Sequence, residues 1–380
     1  MNQDVPGFVR PAYGQRSLSD VLPAVARALG VGDRFGIDGS ATELFLPESQ
    51  KFVVFLIDGL GFELLRDHAG EAPYLHSLLS SSEPATVGVP STTATSLTSF
   101  GTGLAPGTHG VVGYTSRIPG TEELLNALAW SKAVDPHQWQ PLETAFSRLA
   151  AVGVRATIVN KREFVGSGLT EAGMRGAEYV GADRLGERVV AVQAASAEGP
   201  SLTYMYDGDL DWTGHRYGVN SEQWRMQLSM IDLAAERVRD TLADDVRIVV
   251  LADHGMVDVP TAGRVDVEER AELRDGVALI GGEARFRHVY CRAGATEDVV
   301  ETWQTVLGDL AEVMSRDEAF ARGWFGDERP EVRPRIGDVV AACHGDAAIL
   351  DTSAFPYEAR LVGMHGSLTS AEMLVPVLVD

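Results

Sequence analysis

Short, nearly uninterrupted apolar runs recur along the chain: KFVVFLI (51–57), VRATIVN (154–160), SLTYMY (201–206), VRIVVLA (246–252) and MLVPVLV (373–379). Apolar residues at both odd and even positions of a run this short predict strands buried on both faces of a sheet. Between these runs the period lengthens to that of an amphipathic helix in LSDVLPAVARALG (18–30), RLGERVVAVQAASA (184–197) and SEQWRMQLSMIDLAAERVRDTLADD (221–245). The first ends at Gly30 and the last opens at Ser221, whose short hydroxyl suits an N-cap. Buried strands alternating with helices predict an α/β fold with a central, mostly parallel sheet flanked by helices. The stretch 261–335 breaks the pattern. RVDVEERAELRDGVALIGGEARFRHVYCR alternates charge with apolarity, turns at a Gly-Gly pair, and is followed by the helix-like EDVVETWQTVLGDLAEVMSRDEA. It predicts a small α+β insertion, placed like a cap, in a catalytic domain built from 46–260 and 336–380. Residues 1–45 are expected to form a helical extension packed on that core.

Composition narrows the function. A chain of 380 residues with 45% hydrophobic residues can bury a large core. Its 32 basic and 54 acidic residues leave a net charge of −22, which disfavours a nucleic-acid polymer or an anionic membrane surface as partner. An anionic small molecule stays possible, because bound dications reverse the sign locally. Cys291 and Cys343 are far apart and form no CxxC pair, so they read as buried free thiols rather than a disulfide framework. No apolar run approaches the ~18 residues of a membrane helix, and MNQDVPGFVRPAYGQRSLSD lacks the apolar core of a secretory signal. The expectation is a cytoplasmic protein with no membrane partner.

In open α/β sheets, ligands bind beyond the carboxyl ends of the strands, and here the strand ends carry unusual residues. FLIDGLG presents Asp58. YMYDGDLDWTGHRYG presents Asp207, Asp209, Asp211 and His215. LADHGM presents Asp253 and His254, and VGMHGS sets His365 in a Gly-flanked turn. Singly, Asp58 could cap a helix, His365 could fill a tight turn, and Asp207 and Asp209 read as solvated or structural. Together, carboxylates and neutral imidazoles suit zinc or manganese, with donors enough for two ions. A nucleophile is at hand in VGVPSTTATSLTSFGTGLAPGTHGVVGY (87–114), where a hydroxyl opening a helix after Pro90 would face free N–H groups. In NKREF (160–164), Lys161 and Arg162 end a strand and read more simply as surface charges.

FLIDGLG, PSTTATSLTSFGTGLAPGTHGV, DLDWTGHRYG, LADHGM and GMHG stand in the order found in the nucleotide pyrophosphatase/phosphodiesterase branch of the alkaline phosphatase superfamily. The resemblance covers about residues 50–367. It implies an alkaline-phosphatase-like sandwich and makes Thr93 the nucleophile, with Thr92 the second choice. It implies one metal site of Asp58, Asp253 and His254, which Thr93 also touches, and another of Asp211, His215 and His365. Asp207 and Asp209 become neighbours of that second site, and His109 a structural residue. Two departures bear on substrate. Diesterases follow the nucleophile with Phe-Pro-Asn-His, where this chain has Ala94, Thr95, Ser96 and Leu97; they also place a phosphate-binding Asn where Tyr114 stands. A phenol can still donate a hydrogen bond. The resemblance implies hydrolysis of phosphodiester or pyrophosphate bonds in nucleotide-like small molecules through a phosphothreonine, with two divalent ions, zinc favoured and manganese the alternative. A phosphomonoesterase or a phosphonoacetate-type hydrolase would use the same metals, and a non-catalytic metal- or nucleotide-binding protein is the rival from outside enzymology.

Overall fold

The computed structural model describes residues 5–37, 42–80 and 82–380. Five parallel strands form the centre: β1 (Lys51–Ile57), β2 (Arg155–Asn160), β3 (Glu178–Gly181), β4 (Ser201–Asp207) and β5 (Val246–Leu251), in the order β5-β1-β4-β2-β3. Val377–Val379 adds an antiparallel edge strand beside β5. Phe52 to Ile57 are wholly buried, as runs without alternation demand. The predicted strand at 373–379 divides at Pro376, which has no N–H to give a ladder. Leu374–Val375 pairs instead with Ala85–Thr86. β3 was not foreseen; it is a short, partly exposed edge strand.

Helices cover the sheet: α1 (Val21–Ala28), α2 (Thr93–Thr102), α3 (Leu185–Ala195), α4 (Asp209–Tyr217) and α5 (Glu222–Thr241). Ser221 caps α5, accepting the Trp224 N–H at 3.1 Å. Leu18, Val21, Leu22 and Val25 of the N-terminal segment lie in the same apolar cluster as β1. No helix among the described residues is long and apolar enough to cross a membrane.

A second, antiparallel sheet comprises β6 (Val277–Glu283), β7 (Phe286–Cys291), β8 (Ala311–Ser315) and β9 (Val339–Cys343), in the order β6-β7-β9-β8. This corrects the boundary expected at 335: β9 lies beyond it in sequence yet fills the interior of the sheet. Alternation along β9 decides its packing. Val339, Ala341 and Cys343 face helix α6 (Thr296–Leu307) and its Trp303, whereas Val340 and Ala342 join the main core. The sheet is therefore a layer sharing the main core on one face, not a detached lid. Buried Arg285–Glu372 and Arg287–Glu358 pairs also tie it to the body. Both cysteines are free; Cys343 is buried as expected, while Cys291 is only half-buried.

Candidate active site

Strand register creates the site. Ile57 on β1 pairs with Asp207 on β4, and Leu56 pairs with Leu251 on β5. The residues just past these strands, Asp58 and Asp253–His254, thus emerge along one sheet edge. Gly59 follows Asp58 with φ +76, and a Cβ there would lie 3.1 Å from the backbone of Asp211. Only glycine lets the first strand end come so near the start of α4.

Thr93 is the first residue of α2, and Thr92 precedes it in extended conformation. The helix is buried throughout, and two of its hydroxyls turn back on its own backbone: Thr98 donates to the Ala94 carbonyl at 2.8 Å and Thr102 to that of Thr98 at 2.6 Å. Thr93 does otherwise. Its Oγ1 lies 3.2 Å from His254 Nε2 and 3.5 Å from Asp58 Oδ2.

Two groups of possible metal donors flank this hydroxyl. In the first, Asp58, Asp253 and His254 are fully buried, with His254 Nε2 3.3 Å from Asp58 Oδ1 and 3.5 Å from Asp253 Oδ2. In the second, Asp211 and His215 project from one face of α4 at i, i+4, and His365 meets them from its loop. His365 Nε2 is 3.3 Å from His215 Nε2 and 3.8 Å from Asp211 Oδ1. The groups adjoin, because the His254 and His365 rings stack with centroids 3.7 Å apart.

The donor chemistry fits metal ions. Each imidazole gives Nδ1–H to a backbone carbonyl: His254 to Gly255 at 2.9 Å, His215 to Gly363 at 2.8 Å and His365 to Ser91 at 2.9 Å. Those bonds leave every Nε2 lone pair turned into the site, as metal-ligating histidines require. One oxygen on each acid (Asp58 Oδ1, Asp211 Oδ1 and Asp253 Oδ2) is buried without a hydrogen-bond partner. Three such orphans side by side are an unfavourable arrangement unless a cation compensates them. The electrostatics agree. Burial and the neighbouring Asp58 push the Asp253 carboxyl well above its ordinary value, and burial pushes Asp211 up to about 6. Burial alone would depress His254, but Asp253 and Asp58 outweigh it and push the imidazole up, favouring positive charge where a metal ion would sit.

The remaining candidates separate. Tyr114 lines the same cavity as Thr92, Thr93 and His365, and its phenol oxygen accepts from Asn126 at 2.7 Å. Asp207 is not solvated: it is buried in a 2.9 Å pair with Arg188. Asp209 is paired with Lys161 at 3.3 Å, and neither Asp207 nor Asp209 joins a donor group. Arg162 is exposed and paired with Asp183 and Glu187. His109 is buried beside Ser99 Oγ at 2.9 Å, and its Nδ1 accepts the Val111 N–H, a structural arrangement. Two site residues escaped the sequence reading. Tyr206 donates to Asp58 Oδ2, and Glu283 reaches the cavity from β6.

Two cavities meet at Thr93. One, of ≈ 430 Å³, runs past Asp211, His215 and His365 towards Tyr114 and Tyr357. The other, of ≈ 320 Å³, runs past Asp58 between Phe164, Leu169 and Met174 and holds Asn160 and Lys161. Thr93, Asp211, Leu128 and Trp212 line both, and Leu128 and Trp212 are 54% and 59% exposed at the shared rim.

Comparison with known proteins gives the family and the fold. The model of the type I phosphodiesterase/nucleotide pyrophosphatase family matches residues 52–368. Ectonucleotide pyrophosphatase/phosphodiesterase family member 7 of Mus musculus is 33% identical over 67 residues, as is that of Rattus norvegicus; the aligned part spans only 15% of each relative's length. Among solved structures, murine ectonucleotide pyrophosphatase/phosphodiesterase 5 superposes with a TM-score of 0.69 at 16% identity, over 87% of this chain and 88% of that one. An inactive variant of it has been solved with AMP. Phosphonoacetate hydrolase from Sinorhizobium meliloti, in complex with phosphonoformate, gives 0.65 at 19% identity over 88% and 90%.

Proposed function

Because the chain belongs to the type I phosphodiesterase/nucleotide pyrophosphatase family, we propose that it is a metal-dependent phosphoester hydrolase. Its substrates are small nucleotide-like molecules with phosphodiester or pyrophosphate bonds, and its covalent intermediate is a phosphothreonine. The observation that carries this reading is the placement of the Thr93 hydroxyl, at the junction of two acid–imidazole groups and of two cavities. Asp58, Asp253 and His254 would hold one divalent ion and Asp211, His215 and His365 a second; hard oxygen and imidazole donors favour zinc, with manganese the alternative. Such ions supply Lewis-acid charge and lower the pKa of a nearby hydroxyl or water.

The chain's own residues do the rest. Thr93 Oγ1 loses its proton and attacks phosphorus; an Oγ1–P bond forms, the P–O bond to one substituent breaks, and that substituent leaves as an alcohol or phosphate after taking up a proton. Water then attacks the phosphothreonine, the Oγ1–P bond breaks, Thr93 regains a proton and a monoester departs. Free N–H groups at the start of α2 face the negative charge that develops. A diester carries two substituents, and one cavity on each side of Thr93 supports that class over monoesters. The AMP bound to the murine relative supports a nucleotide as one substituent. The net charge of −22 argues for small substrates over polymers.

The test is a metal-replete screen of nucleotide diesters, dinucleotide pyrophosphates, phosphomonoesters and phosphonates with the native chain and Thr93→Ala. The substitution should lower kcat by at least about 10³-fold with bound metal unchanged, and mass spectrometry of quenched native enzyme should find phosphate on Thr93. Retention of most activity by Thr93→Ala would overturn the mechanism.

A further inference from the structure

Glu283 ends β6 and carries its side chain from the second sheet into the larger cavity, where it lines the wall with Thr92, Thr93, Tyr114 and His365. It is 8% exposed. The Thr92 hydroxyl and the Tyr114 backbone N–H stand beside the carboxyl. Oε2 stands 4.0 Å from His365 Nδ1, whose proton already goes to Ser91, while Oε1 is buried with no hydrogen-bond partner. The stem is held from behind by Gly366: with φ +132, a Cβ there would come within 2.7 Å of Glu283 Cγ.

The other charged residues of this cavity are accounted for. Asp211, His215 and His365 belong to a donor group, Glu358 is paired with Arg287, and Arg216 and Arg360 are exposed. Glu283 is thus the one buried acid on this wall outside the donor groups that lacks a cationic partner at hydrogen-bond distance. It sits one residue from the nucleophile through Thr92, and at the backbone of Tyr114. A phosphate diester brings one negative charge to Thr93 and a monoester above its second pKa brings two. An unpaired carboxylate in a poorly screened wall repels the second charge strongly.

We infer that Glu283 is a specificity-determining residue: its unpaired carboxylate excludes dianionic phosphoryl groups and restricts the site to monoanionic diesters. This rests on the metal-hydrolase reading above. The test uses the full zinc-loaded chain at about pH 8.5, above the value of about 7 to which burial pushes Glu283 and where phosphate monoesters and orthophosphate are both mainly dianionic. Calorimetry on Thr93→Ala, with and without Glu283→Gln, measures binding of orthophosphate and of dimethyl phosphate. Neutralising Glu283 should tighten orthophosphate by about tenfold or more and dimethyl phosphate by only about threefold, the smaller factor that half the charge gives. With Thr93 intact, Glu283→Gln should raise the ratio of kcat/KM for p-nitrophenyl phosphate over bis-p-nitrophenyl phosphate by about threefold or more. Should the glutamine variant fail to fold, Glu283→Met, of similar length and uncharged, takes its place. Equal changes for both anions, or an unchanged ratio, would overturn the inference and leave the hydrolase reading standing. Failure of both anions to bind the zinc-loaded chain would overturn the two together.

Discussion

Removing a buried ligand should have opposite effects with and without metal, and Asp253→Asn isolates this. Asp253 is wholly buried; Oδ1 accepts the Gly59 N–H at 3.2 Å, and Oδ2 faces the site with no hydrogen-bond partner. Asparagine keeps the shape and the acceptor for Gly59, and deletes one charge. In chelated protein that charge is a burden, since burial and Asp58 push the carboxyl well above its ordinary value. An orphaned buried polar group costs about 1–3 kcal/mol, so Asp253→Asn should stabilise chelated protein by about 1–2 kcal/mol. In loaded protein the same change removes a ligand. A cation present at 1,000 times its Kd contributes about 4 kcal/mol to stability. Losing most of that, set against the relief of charge, leaves the variant about 2–3 kcal/mol less stable. At about 2 °C per kcal/mol for a large chain, thermal unfolding followed by far-UV circular dichroism should show a rise of roughly 2–4 °C in chelator. With excess zinc it should show a fall of roughly 4–6 °C. The crossing of sign is the result that matters. Destabilisation under both conditions would make Asp253 a structural acid, and stabilisation under both would remove it from the metal site.

Tyr206→Phe deletes the donor to Asp58 Oδ2 and should weaken the ion held by Asp58, Asp253 and His254 about 10- to 100-fold. In a competitive chelator titration only one of two metal steps should move; equal movement of both would deny Tyr206 this role. Arg285 and Glu372 form a fully buried fork with bonds of 2.7 and 2.8 Å, and Glu372 also accepts the Ser367 N–H at 3.0 Å, beside the His365 loop. Glu372→Leu alone should lower stability by about 3–5 kcal/mol in urea denaturation, and pairing it with Arg285→Met should restore much of that loss. A single substitution worth under about 1 kcal/mol would show that the fork does not anchor the second sheet.

The central sheet and the candidate donors at its edge were legible because one local signal encodes both. A strand with no polar parity must be buried, and an acid at its end then has few roles open to it. That logic singled out Asp58, Asp253 and His254 from their own flanks, while Asp211 and His215 were paired by the spacing of the family motif and lie one turn apart on α4. What escaped depends on contacts remote in sequence. Asp207 reads equally as solvated or structural until Arg188, on α3, is seen against it. Tyr206 looks like one more apolar residue of β4, because nothing local shows that its hydroxyl reaches Asp58. Glu283 sits in a charged, alternating strand, where the pattern assigns such a residue to solvent. Only the docking of β6 against Thr92 and Tyr114 buries it. β9 was assigned to the wrong domain for the same reason: its partners on both sides, β7 and β8, lie well upstream.

The two classes of residue also sit on parts of the fold with different freedom to vary. Five of the six candidate donors are fixed by ladder register in β1, β4 and β5 or by one helical turn of α4, so shifting them means breaking backbone hydrogen bonds; the sixth, His365, is on a loop tied to the Ser91 carbonyl. Wall positions such as Leu97, Tyr114, Leu128, Trp212 and Glu283 are single side chains on helices, loops and the second sheet. They can be exchanged without moving a donor atom. The departures following Thr93 are of this second kind. Ala94 to Leu97 lie within α2, and Leu97 lines a cavity while none of the four belongs to a donor group. A backbone that superposes at 0.69 on a protein only 16% identical is what such a division produces. Differences in substrate among chains of this fold should therefore be sought in the walls, with Glu283 the first position to exchange.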